Sequence, residues 1–159
     1  MTIKEGDKLP DATLMRMGES GPEPVKTGDL FEGKVVLFSV PGAFTPTCSA
    51  KHLPGFVEKA DLIRGKGVDK VVCMAVNDAF VMDAWGKSQN ANGKVEMVGD
   101  GNGDFTRALG LTLDGRGFGL GERGQRFALV AKDGVIEKLF VEEGGAFKVS
   151  SAENVLESL

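Results

Sequence analysis

The stretch Val40–Ser49, with the sequence VPGAFTPTCS, lies where an apolar run gives way to a turn and then to a helical pattern. Cys48 stands at the start of that helical pattern, where free backbone N–H groups and the positive end of the helix dipole favour a negative charge. Thiols at helix starts and beside basic side chains ionise most readily. Lys51 and His52 follow three and four residues later and share a helix face with Cys48. The spacing predicts a reactive thiolate at Cys48, although a lone cysteine is more often a buried structural thiol.

Strand and helix patterns surround this stretch. Residues 34–40 form a short, continuous apolar run with many β-branched side chains, which is typical of a strand buried on both faces, and residues 71–76 repeat the pattern. Between them, apolar residues at helical spacing predict a helix from near Cys48 to Arg64. Pro54 lies inside this helix and lacks the N–H that would bond the carbonyl four residues earlier, so we expect a kink or a break there.

The rest of the chain continues the alternation of strands and helices. Clusters of Gly, Ser and Pro predict turns at 18–24 and 30–33, and Asn77 or Asp78 is expected to cap the next helix. The further predicted elements are a helix at 79–88, a strand at 95–98, a short helix at 105–110, hairpin strands at 126–131 and 135–141, and a helix at 151–159. We therefore expect an α/β fold, with a central mixed sheet flanked by helices, in a single domain over residues 1–159.

The composition excludes several classes of protein. Hydrophobic residues make up 42% of the 159 residues and charged residues 26%, which are ordinary values for a globular protein. The net charge is −4 and there is no basic block, so neither a nucleic acid nor a membrane surface is an expected partner. No apolar run approaches the ~18 residues of a membrane span, and the N-terminal residues lack the apolar segment of a signal peptide. Two cysteines and one histidine do not support a disulfide framework or a multi-histidine metal site, and a cytoplasmic location is expected.

Three separated motifs resemble one protein family. Pro41–Cys48, PGAFTPTC, looks like the peroxidatic loop of peroxiredoxins, in the form Pro-x-x-x-Thr-x-x-Cys. Ser49–Phe56, SAKHLPGF, and Val76–Trp85, VNDAFVMDAW, are similar to the peroxiredoxin-5-like branch (atypical, type II in plants) of the AhpC/TSA family. The resemblance runs from about Gly6 to Leu159 and implies a thioredoxin-like fold. It also implies a thiol-dependent peroxidase that reduces hydrogen peroxide and alkyl hydroperoxides without a metal, flavin or haem.

The resemblance implies a role for each residue of the candidate site. Cys48, as a thiolate, would attack one peroxide oxygen and become a sulfenic acid. Thr45 would place its hydroxyl beside the sulfur, and Pro41 would shield the site from water. The family's arginine matches Arg126, whose guanidinium stays charged and offers several N–H groups, with Arg123 as the fallback. Without the resemblance, Thr45 would be only a turn or capping residue and Arg126 a strand-edge ion-pair partner.

Other residues near these motifs are expected to support the site. His52 should pack or hydrogen-bond near Cys48 and not act as a base, because a thiolate that is already formed needs none. Lys51 should be a solvated surface charge. The resemblance also implies a homodimer packed near the active site, and an exposed Phe44 or Phe80 would suit that contact.

The second cysteine leaves two interpretations open. Cys73 lies in the middle of the predicted strand at 71–76, where a small apolar side chain fits the core. Its position also resembles the second cysteine of plant-type members, which could resolve the sulfenate. A bridge from Cys73 to Cys48 would need Cα atoms within ~7 Å and a partly unwound helix start. Animal-type members carry a resolving cysteine in the segment that here reads AFKVSS at 146–151, where no cysteine stands. We expect an external thiol instead, from glutathione with glutaredoxin or from thioredoxin.

Three other motifs do not carry a function. Residues 100–104, DGNGD, begin like an EF-hand loop, but Phe105 and Leu111 stand where that loop needs Gly and Glu. Residues 119–124, GLGERG, match the dinucleotide-binding pattern but precede a strand instead of opening a helix. A Cys-x-x-Cys pair is absent because Lys51 occupies the second position. The alternative to a peroxidase is a non-catalytic thioredoxin-fold chaperone or interaction module.

Overall fold

A computed structural model describes residues 2–144 and 146–159 of the chain. The strands are β1 (Thr13–Gly18), β2 (Gly21–Lys26), β3 (Lys34–Ser39), β4 (Lys70–Ala75), β5 (Glu96–Gly99), β6 (Thr112–Asp114), β7 (Glu122–Gly124), β8 (Phe127–Lys132) and β9 (Val135–Val141). The helices are α1 (Thr27–Leu30), α2 (Leu53–Arg64), α3 (Ala79–Ser88), α4 (Asp104–Leu109) and α5 (Ala152–Ser158). A π-helical turn, Cys48–His52, directly precedes α2, and a 3-10 turn lies at Arg116–Phe118.

A seven-stranded sheet with the order β2-β1-β5-β4-β3-β8-β9 forms the centre of the fold, and β6 and β7 form a separate two-stranded sheet. The three central strands β5, β4 and β3 are parallel, and the strands outside them pair antiparallel. Side chains of β3 alternate between two buried clusters, one around Phe38, Phe56 and Trp85 and the other around Leu37 and Phe105. The parallel strands at the centre of the sheet are covered on both faces by these clusters, as parallel strands require. The predicted mixed sheet flanked by helices is confirmed.

The helix that follows the loop after β3 does not begin as an α-helix. In the π-helical turn, the amide of Leu53 donates to the carbonyl oxygen of Cys48, five residues earlier. Pro54 follows as the second residue of α2 and lacks the N–H that other helical residues carry. The chain is helical on both sides of Pro54, so the break expected there is not found, and the irregularity is the π-helical turn that directly precedes α2.

Two of the errors in the sequence-based assignment have a clear physical cause. Residues 18–24 were predicted as a turn, but only the tip turns, and Pro22 and Pro24 belong to β2, where they pair with Met17 and Met15. Strand β2 is at the edge of the sheet, where one side has no partner and proline is tolerated. The second omission is the β6–β7 pair, whose strands have three residues each. Neither helix nor strand periodicity can be recognised over so short a length.

The antiparallel pairing of β3 and β8 determines where the candidate site lies. Ser39, the last residue of β3, is opposite Phe127, the first residue of β8. The C-terminal end of β3 and the N-terminal end of β8 therefore lie side by side. This brings the loop of residues 40–47 beside Arg126. Among the helices of the described residues, none has the length and apolar character that crossing a membrane requires.

Candidate active site

The loop of residues 40–47 is held by hydrogen bonds from two distant parts of the chain. The amide of Ala43 donates to Oδ1 of Asn77 at 3.0 Å. Nη1 of Arg123 donates to the carbonyl oxygen of Pro41 at 3.3 Å, so Arg123 contacts the loop backbone. Pro41 itself is half-buried at the entrance of the loop. These two contacts fix the loop against the residues that follow β4 and against β7.

Cys48 is fully buried at the first position of the π-helical turn. Its Sγ accepts hydrogen bonds from Oγ1 of Thr45 at 2.9 Å and from Nη2 of Arg126 at 3.0 Å. The Thr45 hydroxyl also lies 2.7 Å from the carbonyl oxygen of Gly42, so its single proton can be directed to either acceptor. The sulfur therefore accepts one hydrogen bond from a charged group and one from a neutral group. The structure thus brings three of the predicted site residues into contact.

The guanidinium of Arg126 has a second partner in the ring of His52. Nη1 of Arg126 lies 2.8 Å from Nδ1 of His52, and Nε2 of the same ring lies 2.9 Å from the carbonyl oxygen of Ser150. Because a guanidinium only donates, Nδ1 must accept, and the ring proton is on Nε2, which donates to Ser150. Burial, with a further contribution from the Arg126 charge, lowers the pKa of His52 to about 3. His52 is therefore a neutral acceptor at neutral pH.

Aromatic rings enclose His52 on several sides. Ring centroids of Phe38, Phe147 and Phe56 lie 4.9, 5.0 and 5.6 Å from that of His52. The Phe147 ring also faces the guanidinium, with 5.9 Å between its centroid and Cζ of Arg126. This packing excludes water from the inner side of the site. Lys51, which precedes His52, is exposed as predicted.

Cys73 is buried in β4, on the same side of the sheet as Cys48. It pairs with Phe38 of β3 and Met97 of β5, and both cysteines are free thiols. Burial raises the pKa of Cys73 well above its ordinary value; proximity to Cys48 adds to this and Arg126 opposes it. A thiol in that state is protonated at neutral pH and is a weak nucleophile.

Two phenylalanines, one on the loop of residues 40–47 and one three residues after Asn77, are largely exposed. The side chain of Phe44 is 56% exposed at the tip of the loop, and that of Phe80 is 62% exposed in the first turn of α3. Phe44 has a φ of 64°, in the left-handed region that non-glycine residues rarely adopt. Its ring lies 6.4 Å from that of Trp85, whose Nε1 donates to Oγ of Ser49 at 3.0 Å.

Three residues that contact the site or its supports were not predicted from the sequence. Asn77 was considered only as a helix cap, but Asp78 caps α3 by accepting from the amide of Val81 at 2.8 Å, and Asn77 holds the loop. Ser150 directly precedes Ser151, the cap of α5, and its carbonyl oxygen lies 2.9 Å from Nε2 of His52. Glu142, which binds Ser150, was not considered at all. A carboxylate directly after a predicted strand carried no signal of this contact.

Comparison with known proteins agrees with this geometry. The model of the Redoxin family matches residues 4–156. Peroxiredoxin-2E, chloroplastic, of Arabidopsis thaliana is 52% identical over 163 residues, which cover 99% of this chain and 70% of that protein. Peroxiredoxin-2B of Arabidopsis thaliana is 49% identical over 159 residues, covering 99% and 98%. Reduced Prx3 of Vibrio vulnificus in complex with H2O2 superposes with a TM-score of 0.95, at 48% identity and 99% coverage of both chains.

The matched length and identity show that the chain belongs to the redoxin family and has a thioredoxin-like fold. Within that family it belongs to the peroxiredoxins, in the peroxiredoxin-5-like branch that includes the plant type II proteins. It is a thiol-dependent peroxidase, and the non-catalytic alternative is not favoured. The resemblance predicted from the three sequence motifs is thereby confirmed. The predicted cytoplasmic location is not supported by the chloroplastic relative.

Proposed function

We propose that Cys48 is the nucleophile of this peroxidase and that Thr45, Arg126 and Pro41 complete its active site. One observation carries the proposal: Sγ of Cys48 accepts from Oγ1 of Thr45 and from Nη2 of Arg126 at 2.9 and 3.0 Å. Both donors can stabilise a thiolate before the reaction. They can also donate to the peroxide oxygens as negative charge moves from sulfur to the leaving oxygen.

The proposed reaction is a displacement at oxygen. The Cys48 thiolate attacks one oxygen of the hydroperoxide, an S–O bond forms and the O–O bond breaks. The sulfur is oxidised by two electrons to the sulfenic acid, and the hydroperoxide is reduced to an alcohol or to water. The leaving oxygen carries the negative charge away and takes a proton from solvent. Arg126 stays protonated throughout, so it stabilises charge without giving up a proton.

Pro41 would limit the access of water to the sulfur. It offers no N–H to solvent or peroxide, and its ring fixes the backbone at the entrance of the loop. Its carbonyl oxygen is occupied by Nη1 of Arg123. Arg123 would therefore support the loop, and Arg126 would act on the sulfur.

We also propose that an external thiol reduces the sulfenic acid. In the first step, a thiol of glutathione or of thioredoxin would form a mixed disulfide with Cys48 and release water. In the second step, another thiol would attack the mixed disulfide and release the Cys48 thiolate. With glutathione, this second thiol would be delivered with glutaredoxin. Support comes from Cys73, which is buried within β4 and has a raised pKa, so it is poorly suited to attack the sulfenic acid. The segment at 146–151 contains no cysteine that could take its place.

We propose further that the protein is a single-domain, cytoplasmic homodimer. The exposed aromatic rings of Phe44 and Phe80 support a contact with a second copy close to the site, because exposed large apolar side chains are commonly buried in such interfaces. Sedimentation of the wild-type protein and of a Phe80→Glu variant tests the assembly. We expect a dimer for the first and a monomer for the second, and a monomeric wild type would contradict the proposal.

Peroxide consumption tests the catalytic proposal directly. A Cys48→Ser protein should consume no hydrogen peroxide with any added thiol, and a Cys73→Ser protein should keep its turnover with glutathione and glutaredoxin or with thioredoxin. Thermal unfolding of both variants shows whether each is folded. Turnover by folded Cys48→Ser protein would refute the assignment of the nucleophile.

A further inference from the structure

Glu142, the first residue after β9, is a buried carboxylate that is held only by hydrogen bonds. Its side chain is 5% exposed, and Oε2 accepts from the amides of Lys148, Val149 and Ser150 at 2.8, 2.9 and 2.8 Å and from Oγ of Ser150 at 2.7 Å. Burial alone would raise the pKa of Glu142, but these bonds outweigh it and lower the pKa below its usual value. Within the described residues, no basic side chain forms an ion pair with it. The carboxylate thus acts as a charged anchor for the segment at 148–150.

The same residue is bonded to the backbone of Arg126. The amide of Glu142 donates to the carbonyl oxygen of Arg126 at 3.0 Å. On the other side of the anchor, the carbonyl oxygen of Ser150 accepts from His52, and His52 accepts from the guanidinium of Arg126. A closed ring of hydrogen bonds therefore runs from the Arg126 backbone through Glu142, Ser150 and His52 to the Arg126 side chain. The remaining Nη2 of that side chain contacts Cys48.

Each hydrogen bond in this ring determines which atoms can donate or accept in the next one. The Ser150 carbonyl oxygen requires a proton on Nε2 of His52, and this leaves Nδ1 as an acceptor for Arg126. If the carbonyl moved away, the other tautomer or a rotated ring would present an N–H to the guanidinium, and the contact would become repulsive. The position of that carbonyl depends on the backbone of 148–150, which is wrapped around the Glu142 carboxylate.

We propose that Glu142 is a positioning residue for the peroxidase reaction: its carboxylate fixes Ser150, and through Ser150 and His52 it orients the guanidinium of Arg126 toward Cys48. Within the described residues, the hydrogen bonds of the Glu142 side chain go to the segment at 148–150 and not to the sulfur. This inference rests on the roles of Cys48 and Arg126 given under the proposed function. It adds a residue that lies outside the loop and the helix on which the chemistry depends.

A matched pair of variants tests the inference. Glu142→Gln keeps the shape of the side chain but replaces a charged acceptor by a neutral one, and Glu143→Gln makes the same charge change on the exposed neighbour. The quantity to measure is the second-order rate constant for the reaction of Cys48 with hydrogen peroxide. It is divided by the fraction of active protein, which a titration with peroxide gives. Small misplacements of catalytic groups slow a reaction strongly, so Glu142→Gln should lower this rate constant by about tenfold or more. Glu143→Gln should leave the rate constant unchanged. An unchanged rate constant in Glu142→Gln overturns the inference.

A double-mutant cycle separates positioning from a general loss of structure. In a His52→Ala background the link from Ser150 to Arg126 is already broken, so adding Glu142→Gln should lower the rate constant no further. A reduction of the same factor in both backgrounds would show that Glu142 does not act through His52. If Glu142→Gln does not fold, Ser150→Ala, which removes one of the four donors, must lower the rate constant in the wild-type background and not in His52→Ala.

Failure of the inference can be told apart from failure of the proposed function. If folded Arg126→Gln, which removes the positive charge, retains the wild-type rate constant, Arg126 is not the charge-stabilising group, and both fail. If Arg126→Gln loses activity and folded Glu142→Gln does not, the proposed function stands and only the role of Glu142 is rejected.

Discussion

Nη1 of Arg126 lies 2.8 Å from Nδ1 of His52, and this contact gives the guanidinium an acceptor that is neither charged nor exposed. A carboxylate in that place would attract the guanidinium more strongly but would also reduce its positive field at Cys48. A neutral imidazole orients the group and leaves its charge available. The one histidine of the chain thus serves the candidate site as an acceptor and not as a base.

The first prediction concerns the protonation of His52. Its pKa is lowered from 6.5 to about 3, so the folded protein should show no imidazole titration between pH 8 and pH 5. Because there is one histidine, its NMR signals can be assigned without ambiguity. A titration midpoint near 6.5 would contradict the burial and the contact with Arg126.

The same pKa predicts how stability depends on pH. Between pH 6.5 and about pH 3 the unfolded chain binds a proton that the folded protein excludes, so stability is lost as the pH falls through this window. The expected slope is about 1.4 kcal/mol per pH unit. Denaturant unfolding at several pH values measures it, with His52→Asn as the control that should lack this contribution.

The second prediction concerns Arg126→Lys. A single ammonium group cannot contact His52 and Cys48 as the guanidinium does, and it cannot supply the same pair of donors. We expect kcat/KM for hydrogen peroxide to fall by about a hundredfold or more, as when a transition-state donor is removed. Arg116→Lys is the matched control, because Arg116 is exposed and paired with Asp114. An equal loss of kcat/KM in both variants would show that Arg126 has no special role.

The third prediction concerns the hydroxyl of Thr45. Thr45→Val keeps the shape of the side chain and removes the donor that lies 2.9 Å from Cys48. A hydrogen bond to a charged group contributes about 1.5–3 kcal/mol, which corresponds to about a ten- to hundredfold lower rate constant with peroxide. Thr45→Ser should restore most of the rate. If serine does no better than valine, the hydroxyl is not the group that matters.

The fourth prediction concerns Cys73. Cys73→Ala should keep turnover with external thiols and lower the free energy of unfolding by about 1–2 kcal/mol, because it leaves a small cavity between β3 and β5. Cys73→Ser should cost more, since its hydroxyl has no polar partner in an apolar core. Steady-state assays and denaturant unfolding check both variants. Loss of turnover under every external reductant, while Cys48 still oxidises, would show that Cys73 resolves the sulfenate.

Much of the fold could be predicted because its central elements have long, simple patterns. The strands β3 and β4 are continuous apolar runs, and the helix from Cys48 to Arg64 has apolar residues at helical spacing. The edge strand β2 was missed because its prolines normally indicate a turn, and only its place at the edge of the sheet makes them acceptable.

The residues of the candidate site also differ in how well the sequence predicts their contacts. Thr45 and Cys48 are three residues apart, so local geometry alone brings them together. Arg126 is 78 residues from Cys48, and only the resemblance to a known family indicated that they meet. The link from Glu142 to Ser150 depends on how an irregular segment folds back on itself, and no periodicity or propensity encodes it.

The most direct test of a one-cysteine cycle at Cys48 is the intact mass after one equivalent of hydrogen peroxide, with a sulfenic-acid trap present and no reductant. We expect one trap adduct on the peptide that contains Cys48, in the wild type and in Cys73→Ser alike. A loss of two hydrogens without an adduct, with Cys48 and Cys73 in one crosslinked peptide, would contradict it and would mean that the helix start unwinds during turnover.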